Sequence, residues 1–534
     1  MNGTTGSRAV VIEVNTDSLT PMRRIWRYVG YDEPNYTYTS SGTELLAKLG
    51  AMTDAPYYVR CHFLFCTGDG TARLKWGSTN IYTMSEDGEV AYSFEIVDKI
   101  LDAQIESGCV PFVELGFMPE ALSTAPEDVR YDDTHAGGWA YPPSDYTKWA
   151  DLIRTFARHC LERYGLKQVS RWYWELWNEP NGHYWQGTTQ EFCRLYDYTE
   201  HALHSVLPQA ILGSPAIARP VQPGASEFLR DFLHHCVHGR NAVSGTVGTR
   251  LDLITFHVKG GRYPAEPSAA KMTPTIAHLM DNVQTGLEVV ADFPELAGVE
   301  INLSECDPDG WAAGGRHDNP NLVFRNTEYY ASYVATTVCK LLDAASGDGV
   351  RVDGMLTWAF QFEDREFFEG LRTLSTNGID KPVLNVFRML AHLGGQRLEA
   401  STTERSADGR MISCVAATDA DGATQVLVVS HHDDWDNVGR VVVDVAVRGL
   451  RAGGRYEVTA RTVDHHHANS HTAWTAMGSP QPPTAAQRQE LVTASRLVAT
   501  PAGSDEADEH GVLRTSVELE MHAVCLVELL PLER

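Results

Sequence analysis

From about residue 25 to residue 395, short runs rich in β-branched and aromatic residues alternate with longer segments whose apolar positions recur every three or four residues. The short runs fall at 25–29, 57–63, 110–115, 171–177, 210–213, 251–258, 299–303 and 355–360, and each predicts a strand. Helical spacing occupies 43–50, 94–107, 146–164, 189–206, 225–236, 275–291, 327–345 and 381–393. The punctuation agrees with this phasing. Ser144 and Asp145 stand where the third helix needs an N-cap, Gly165 follows its end, and Gly108 stands at the end of the helix before it. Eight strand–helix units with right-handed crossovers close into an α/β, (β/α)8 TIM barrel. An open doubly wound sheet uses similar units, but the first strand here is not followed by a Gly-rich phosphate fingerprint, which favours the barrel.

Beyond Gly395 the pattern changes to short alternating runs, such as 425–430, 440–447, 456–462 and 522–530, bounded by Gly, Asp, Asn and Pro. This predicts an accessory all-β sandwich. The run 10–15 alternates in the same way, so it is expected to add a strand to that sandwich. The division that follows is 1–17 for this strand, 18–395 for the catalytic barrel and 396–534 for the sandwich. Pro480, Pro482 and Pro483 make 478–484 a stiff loop within it.

Composition narrows the partners. Forty-four basic against 70 acidic residues give a formal charge of −26, which repels phosphate backbones and anionic lipid surfaces and favours a small neutral substrate over nucleic acid or membrane. No charged and apolar leader opens the chain, and no stretch approaches about 18 uninterrupted apolar residues. The expected location is the cytoplasm. The ten cysteines are scattered, many within apolar runs, and form no C-x-x-C pair, so buried reduced thiols are expected rather than a zinc site.

Two glutamates stand at the ends of predicted strands. In Arg171-Trp172-Tyr173-Trp174-Glu175-Leu176-Trp177-Asn178-Glu179-Pro180-Asn181, a period of two places Glu175, Trp177 and Glu179 on one face, with Pro180 ending the ladder. Glu179 then reaches the catalytic rim, while Glu175 lies one layer deeper as a buried structural carboxylate. The seventh strand runs into Ser304-Glu305-Cys306-Asp307. Glu305 is the counterpart of Glu179, with Asp307 a rival further beyond the strand. Two carboxyl groups facing one cleft are the equipment for cutting a glycosidic bond.

The Trp-Asn-Glu-Pro-Asn string resembles the acid/base motif of clan A glycoside hydrolases. That resemblance implies Glu179 as acid/base, Asn178 as partner of the sugar 2-hydroxyl, and Glu305 as nucleophile. The likeness narrows to glycoside hydrolase family 39 through Trp26-Arg27-Tyr28-Val29-Gly30-Tyr31-Asp32-Glu33-Pro34-Asn35, Tyr58-Val59-Arg60-Cys61-His62, Glu114-Leu115-Gly116-Phe117-Met118-Pro119 and Asp380-Lys381-Pro382-Val383. Asp464 through Trp474, with its His465-His466-His467 triplet, resembles that family's accessory domain, which gives the triplet an accessory or structural role. The family includes retaining β-xylosidases and α-L-iduronidases. His257-Val258-Lys259-Gly260 and Arg372-Thr373-Leu374 resemble iduronidase segments that hold a uronate carboxylate, whereas the Tyr31 to Tyr38 stretch and Trp76-Gly77-Ser78-Thr79-Asn80 resemble bacterial β-xylosidases.

His62 and His257 end strands and are positioned to donate to sugar hydroxyls, with a purely structural role as the alternative; His62 resembles the family position that binds the terminal sugar. Glu363 and Asp364, after the eighth strand, are candidates for further hydroxyl contacts. Tyr184, Trp185, Trp311, Phe367 and Phe368 are candidate walls for a sugar face or ordinary packing. No spacing of His, Asp and Glu along the chain marks a metal site, and the implied chemistry needs neither metal nor cofactor. The expectation is a retaining exo-acting β-D-xylosidase. An α-L-arabinosidase, an α-L-iduronidase and a non-catalytic carbohydrate-binding protein are the alternatives.

Overall fold

The computed structural model describes residues 10–52, 55–261, 270–344, 351–402 and 408–532. The opening residues 1–9 and residue 345 of the predicted seventh helix lie outside them. The first strand, β1 (Val10–Pro21), belongs to the accessory sheet. Next come β2 (Tyr28–Tyr31), β3 (Tyr58–Cys61), β4 (Val110–Leu115), β5 (Tyr173–Leu176), β6 (Ile211–Ala218), β7 (Leu253–Lys259), β8 (Glu300–Asp307) and β9 (Gly354–Trp358). These eight pair in parallel in chain order, and β9 returns to β2 to close the barrel. The outer ring is α1 (Ser40–Gly50), α2 (Glu95–Glu106), α3 (Tyr146–Tyr164), α4 (Thr189–His204), α5 (Pro223–His238), α6 (Ile276–Ala291), α7 (Glu328–Ala344) and α8 (Pro382–Ala391).

Local chemistry sets these ends. Asp145 accepts from the backbone N–H groups of Thr147 and Lys148 and starts α3, and Gly165 closes it with φ +77°, a left-handed turn that glycine adopts without a steric cost. Thr188 and Glu191 form a reciprocal capping box on α4. Two strands run further than their apolar patterns indicate. β6 continues to Ala218 through an irregularity between Pro215 and Ile217, and β8 continues through Ser304, Glu305 and Cys306 to Asp307 with a register shift between Asn302 and Glu305. Those polar residues read as loop in the sequence, yet in the barrel they are buried.

The barrel interior is stacked in layers. Tyr28, Phe112, Tyr173, Leu253, Leu356 and Trp358 form one apolar cluster of inward-facing residues. Two positions further along β3, β4 and β5, the same inward phase presents Arg60, Glu114 and Glu175, all fully buried. The site is built on this charged layer.

The accessory sheet adds β10 (Gln396–Thr402), β11 (Met411–Thr418), β12 (Thr424–His431), β13 (Arg440–Arg448), β14 (Arg455–Val463), β15 (Thr500–Glu506), β16 (Leu513–Glu520) and β17 (Ala523–Pro531). Its nine strands follow the order β15-β14-β17-β12-β11-β10-β1-β13-β16. β1 pairs antiparallel to β10 and parallel to β13, and it is the only parallel join among the described strands of that sheet. Val443 and Val445 near one edge share an apolar cluster with Val458 and Val527 near the other, so the sheet folds over on itself as a sandwich. Alternation on β12 serves two cores: Val426 and Val428 face that cluster, while Leu427 and Val429 join the barrel core. The accessory region is not purely β. It also carries α9 (Ser470–Ala476) and α10 (Ala485–Ala494), short helices flanking the proline-rich loop, which their brief length hid from periodicity.

Candidate active site

Arg60 organises the floor of the site. Its Nε donates to Glu175 Oε2 at 2.5 Å and its Nη2 to Asn178 Oδ1 at 3.1 Å, while Nη2 also lies 2.8 Å from Glu114 Oε2. Glu175 is thus a buried partner of an arginine. Arg60 and Glu114 fall within the family-like stretches, and the sequence signal for their role is a charged residue at an inward position of an otherwise apolar strand. Burial, ahead of the opposing charge of Arg60, pushes the Glu114 carboxyl well above its usual range. Glu114 Oε2 shares a hydrogen bond of 2.6 Å with His62 Nδ1. Burial, aided by Arg60, holds His62 well below its usual value, and its Nε2 faces the cleft. That nitrogen lies 3.3 Å from Asp32 Oδ1 and 3.6 Å from Glu305 Oε1.

The end of β5 departs from the period of two. Trp177 has φ +67° and Glu179 φ +40°, left-handed conformations that cost a residue with a Cβ of the order of 1 kcal/mol or more. Trp177 consequently packs outward against Trp149 and Trp185, with its Nε1 donating to Tyr184 O at 2.9 Å, rather than sharing the face of Glu175. Glu179 is tied to β6 by its own N–H, which donates to Ala216 O at 3.0 Å. Asn181 bonds both ways with the backbone of Ala218. The glutamate is aimed into the cleft with its side chain 21% exposed.

Glu305 comes from the register shift in β8 and is 8% exposed at its side chain. His257 on β7 stands between the two carboxylates, its Nδ1 2.9 Å from Glu179 Oε1 and 3.6 Å from Glu305 Oε1. One oxygen of each glutamate and one nitrogen of His257 all lie within 4.8 Å of one another. Burial works to raise the Glu305 carboxyl, but the Lys259 ammonium and then His257, His62 and Arg60 outweigh it and hold it well below the usual carboxylate range. Burial likewise works to raise Glu179; the hydrogen bond and charge of His257 leave it below its usual value in the free cleft, while the charge of Glu305 pushes upward. Three donors this close match a cation site in geometry, which spacing along the chain could not show. The Lys259 ammonium, 2.6 Å from Glu305 Oε2, already neutralises that carboxylate and repels a second cation.

Lys259 also lies 2.5 Å from Asp307 Oδ2. Asp307 is not beyond the strand but in its last position, buried, with Oδ1 accepting from Trp358 N at 2.9 Å and Oδ2 3.3 Å from Arg372. Burial keeps its carboxyl above the usual range despite Arg372 and Lys259. Arg372 is 2% exposed and fully occupied by Asp307, Asp309 and the carbonyl of Trp358. It acts through Asp307 instead of lining the cleft. Glu363 turns away as well, accepting at 2.8 Å from the N–H of Ser41 at the start of α1, and Asp364, at φ +56°, sits beside it in that connection. Phe367 and Phe368 pack with Trp474 and Leu491 at the joint with α9 and α10, and Trp185 is buried against Trp177 and Phe192.

A cleft of about 310 Å³ opens over this constellation, lined among others by Lys75, Glu179, Tyr184, Lys259 and Trp311. Lys75 was not foreseen; its ammonium pairs with Asp32, and its backbone N–H donates to Glu33 Oε1 at 2.8 Å. All ten cysteines are buried and unpaired, and no described helix is long and apolar enough to cross a membrane.

Residues 10–508 match the family model described as "Glycosyl hydrolases family 39". The chain is 30% identical over 436 residues to a β-xylosidase of Caldicellulosiruptor saccharolyticus, covering 77% of this chain and 78% of that protein. It is 26% identical over 518 residues to an α-L-iduronidase of Mus musculus, covering 90% and 75%. Among solved structures, a bacterial orthologue of human α-L-iduronidase superposes with a TM-score of 0.80 at 22% identity, over 98% of this chain and 84% of the other, a likeness of fold.

Proposed function

This chain belongs to glycosyl hydrolases family 39, and from that premise we propose that it is a retaining exo-glycosidase releasing terminal β-D-xylose from xylo-oligosaccharides. The observation that carries the mechanism is the spacing of Glu179 and Glu305, whose nearest carboxylate oxygens lie within 4.8 Å. That is nearer the separation of about 5–5.5 Å used by retaining enzymes than the about 6.5–9.5 Å of inverting ones, and it supports the retaining reading.

Glu305, held ionised by Lys259, attacks the anomeric carbon as the glycosidic C–O bond breaks. Glu179, hydrogen-bonded to His257 Nδ1, gives its proton to the departing oxygen. Once Glu305 is esterified its charge is gone. Glu179 then deprotonates a water that attacks the same carbon, and Glu305 departs as carboxylate. Asn178, fixed by Arg60 through its Oδ1, has its amide N–H group free for the sugar 2-hydroxyl. The small cleft suits a terminal residue with a short leaving group, which supports exo-action.

The choice of a neutral pentose rests on the state of the cations. Lys259 is paired with Glu305 and Asp307, and Arg372 with Asp307 and Asp309, so a uronate carboxylate would meet carboxylates alongside each of them. The 30% identity to a β-xylosidase points the same way. One observation favours an α-L-iduronidase instead: Lys259 lines the cleft. Aryl β-D-xyloside, α-L-arabinoside and α-L-iduronide assayed side by side decide, with the xyloside expected to give the highest kcat/KM; dominant hydrolysis of the iduronide overturns the choice. The buried free thiols support a cytoplasmic location.

A further inference from the structure

A row of five rings runs from the mouth of the cleft to its floor. His135 and His183 stack at 4.8 Å with planes 11° apart. His183 lies 4.2 Å from Tyr184, Tyr184 lies 6.0 Å from His62, and His62 lies 4.3 Å from Trp358. The inner end is the reacting end, because His62 Nε2 is 3.6 Å from Glu305. The outer end lies past Glu179. His183 follows it by one tight turn, closed by Gly182 N donating to Glu179 O at 2.9 Å, and the Glu179 carboxylate is the strongest charge acting on that imidazole.

The two ends differ in burial. His62 and Trp358 are 1% and 2% exposed and belong to the barrel core, whereas His135 and His183 are both exposed and belong to separate loops. His135 arrives from the β4–α3 connection and His183 from the turn after β5, and both line the same cavity as Glu179. Stacking two exposed rings from different loops adds little to the core. It does present a flat surface in the same cleft, one tight turn from Glu179, where the leaving group of a glycoside sits when Glu179 protonates it.

We propose that His135 and His183 form the leaving-group subsite, a ring platform that holds the second sugar of the substrate by its apolar C–H face. This rests on the retaining-glycosidase reading of the same cleft. Sugar faces bind flat π surfaces through their C–H groups, and one such contact is worth about a few-fold to tenfold in affinity. Arg219 and Gln222 from the β6–α5 connection line the same cleft.

The test compares two substrates built on whichever terminal sugar the aryl glycoside panel selects: a disaccharide, whose leaving group is a ring, and the glycosyl fluoride, whose leaving group is one atom. For His135→Ala and His183→Ala, the ratio of kcat/KM on the disaccharide to kcat/KM on the fluoride is expected to fall about five- to tenfold, chiefly through KM. His183→Phe, which keeps a ring, is expected to restore most of the ratio. An active wild type whose alanine variants lose both substrates equally, or lose neither, overturns the subsite alone. A wild type inert toward every glycosyl fluoride overturns the parent reading, and the subsite with it.

Discussion

The Lys259 ammonium lies 2.6 Å from Glu305 Oε2, inside a buried site. A charge that close is the first force that opposes burial at the Glu305 carboxyl, and the net result is an acid held well below its usual range. Removing the ammonium in Lys259→Met leaves burial less opposed, so the carboxyl must rise. The acid limb of the kcat/KM profile is expected to move to higher pH by about one unit or more, with a loss of about tenfold to a hundredfold at neutral pH. A pH–rate profile of the variant checks this, and an unmoved acid limb contradicts it.

The two glutamates separate by leaving-group dependence. Glu305→Ala is expected to lose about three or more orders of magnitude on every substrate, because no covalent intermediate can form. Glu179→Ala is expected to lose about two to four orders on a disaccharide and much less on a dinitrophenyl glycoside, whose leaving group needs no proton. Peptide mapping after labelling with a 2-fluoro glycoside should place the tag on Glu305; a tag on Asp307 would reverse the assignment.

Arg60 neutralises Glu114 and Glu175 where water cannot reach them. Arg60→Met leaves both carboxyl groups without their cation and is expected to cost about 3–5 kcal/mol of folding stability. It should also release Asn178, raising KM beyond what the stability loss explains. Denaturant titration and steady-state kinetics on the same preparation measure both effects.

At the N-terminal end of the barrel, His204 bonds Glu200 at 2.9 Å and the carbonyl of Ala210 at 3.1 Å, with Asp252 at 3.4 Å. Burial disfavours its charged form, but the bonds to Asp252, Glu200 and Ala210 outweigh that and lift it to about 9. A folded-state value raised above the unfolded one gives stability that is complete below about pH 6.5 and is lost as the pH climbs through about 9. The gap in melting temperature between wild type and His204→Gln should therefore be wide at pH 6 and narrow at pH 9.5. A gap independent of pH would rule the linkage out.

Much of the architecture could be read from periodicity because barrel strands and helices bury residues in regular phase. The pattern failed where the backbone leaves that phase. A period of two puts Trp177 on the face of Glu175, and a left-handed φ sends it to the helix layer instead. Glu305 and Asp307 look in sequence like residues past a strand that in fact contains them, since polar residues at a register shift resemble loop. Arg372 and Glu363 have the residue types for sugar contacts, but types do not reveal that one is walled in by aspartates and the other bonds a helix start. Arg60 and Lys75 organise or line the cleft through partners distant in sequence, such as Glu175 for Arg60, a relation no local window contains.

The placement of β1 bears on how this protein is made. Ile12 pairs with Thr402 on one side and with Val445 on the other, so β1 waits about 390 residues of synthesis for its nearer neighbour. At an elongation rate of about 5–20 residues per second that is on the order of half a minute, during which an apolar strand has both edges open. The barrel is translated in that interval, and the sheet closes around β1 only afterwards. A gene cut after residue 395 would therefore not yield a clean catalytic fragment; it would leave a sticky, unpaired leader attached to the barrel, and trimming the front of the chain would in turn open the middle of the sheet.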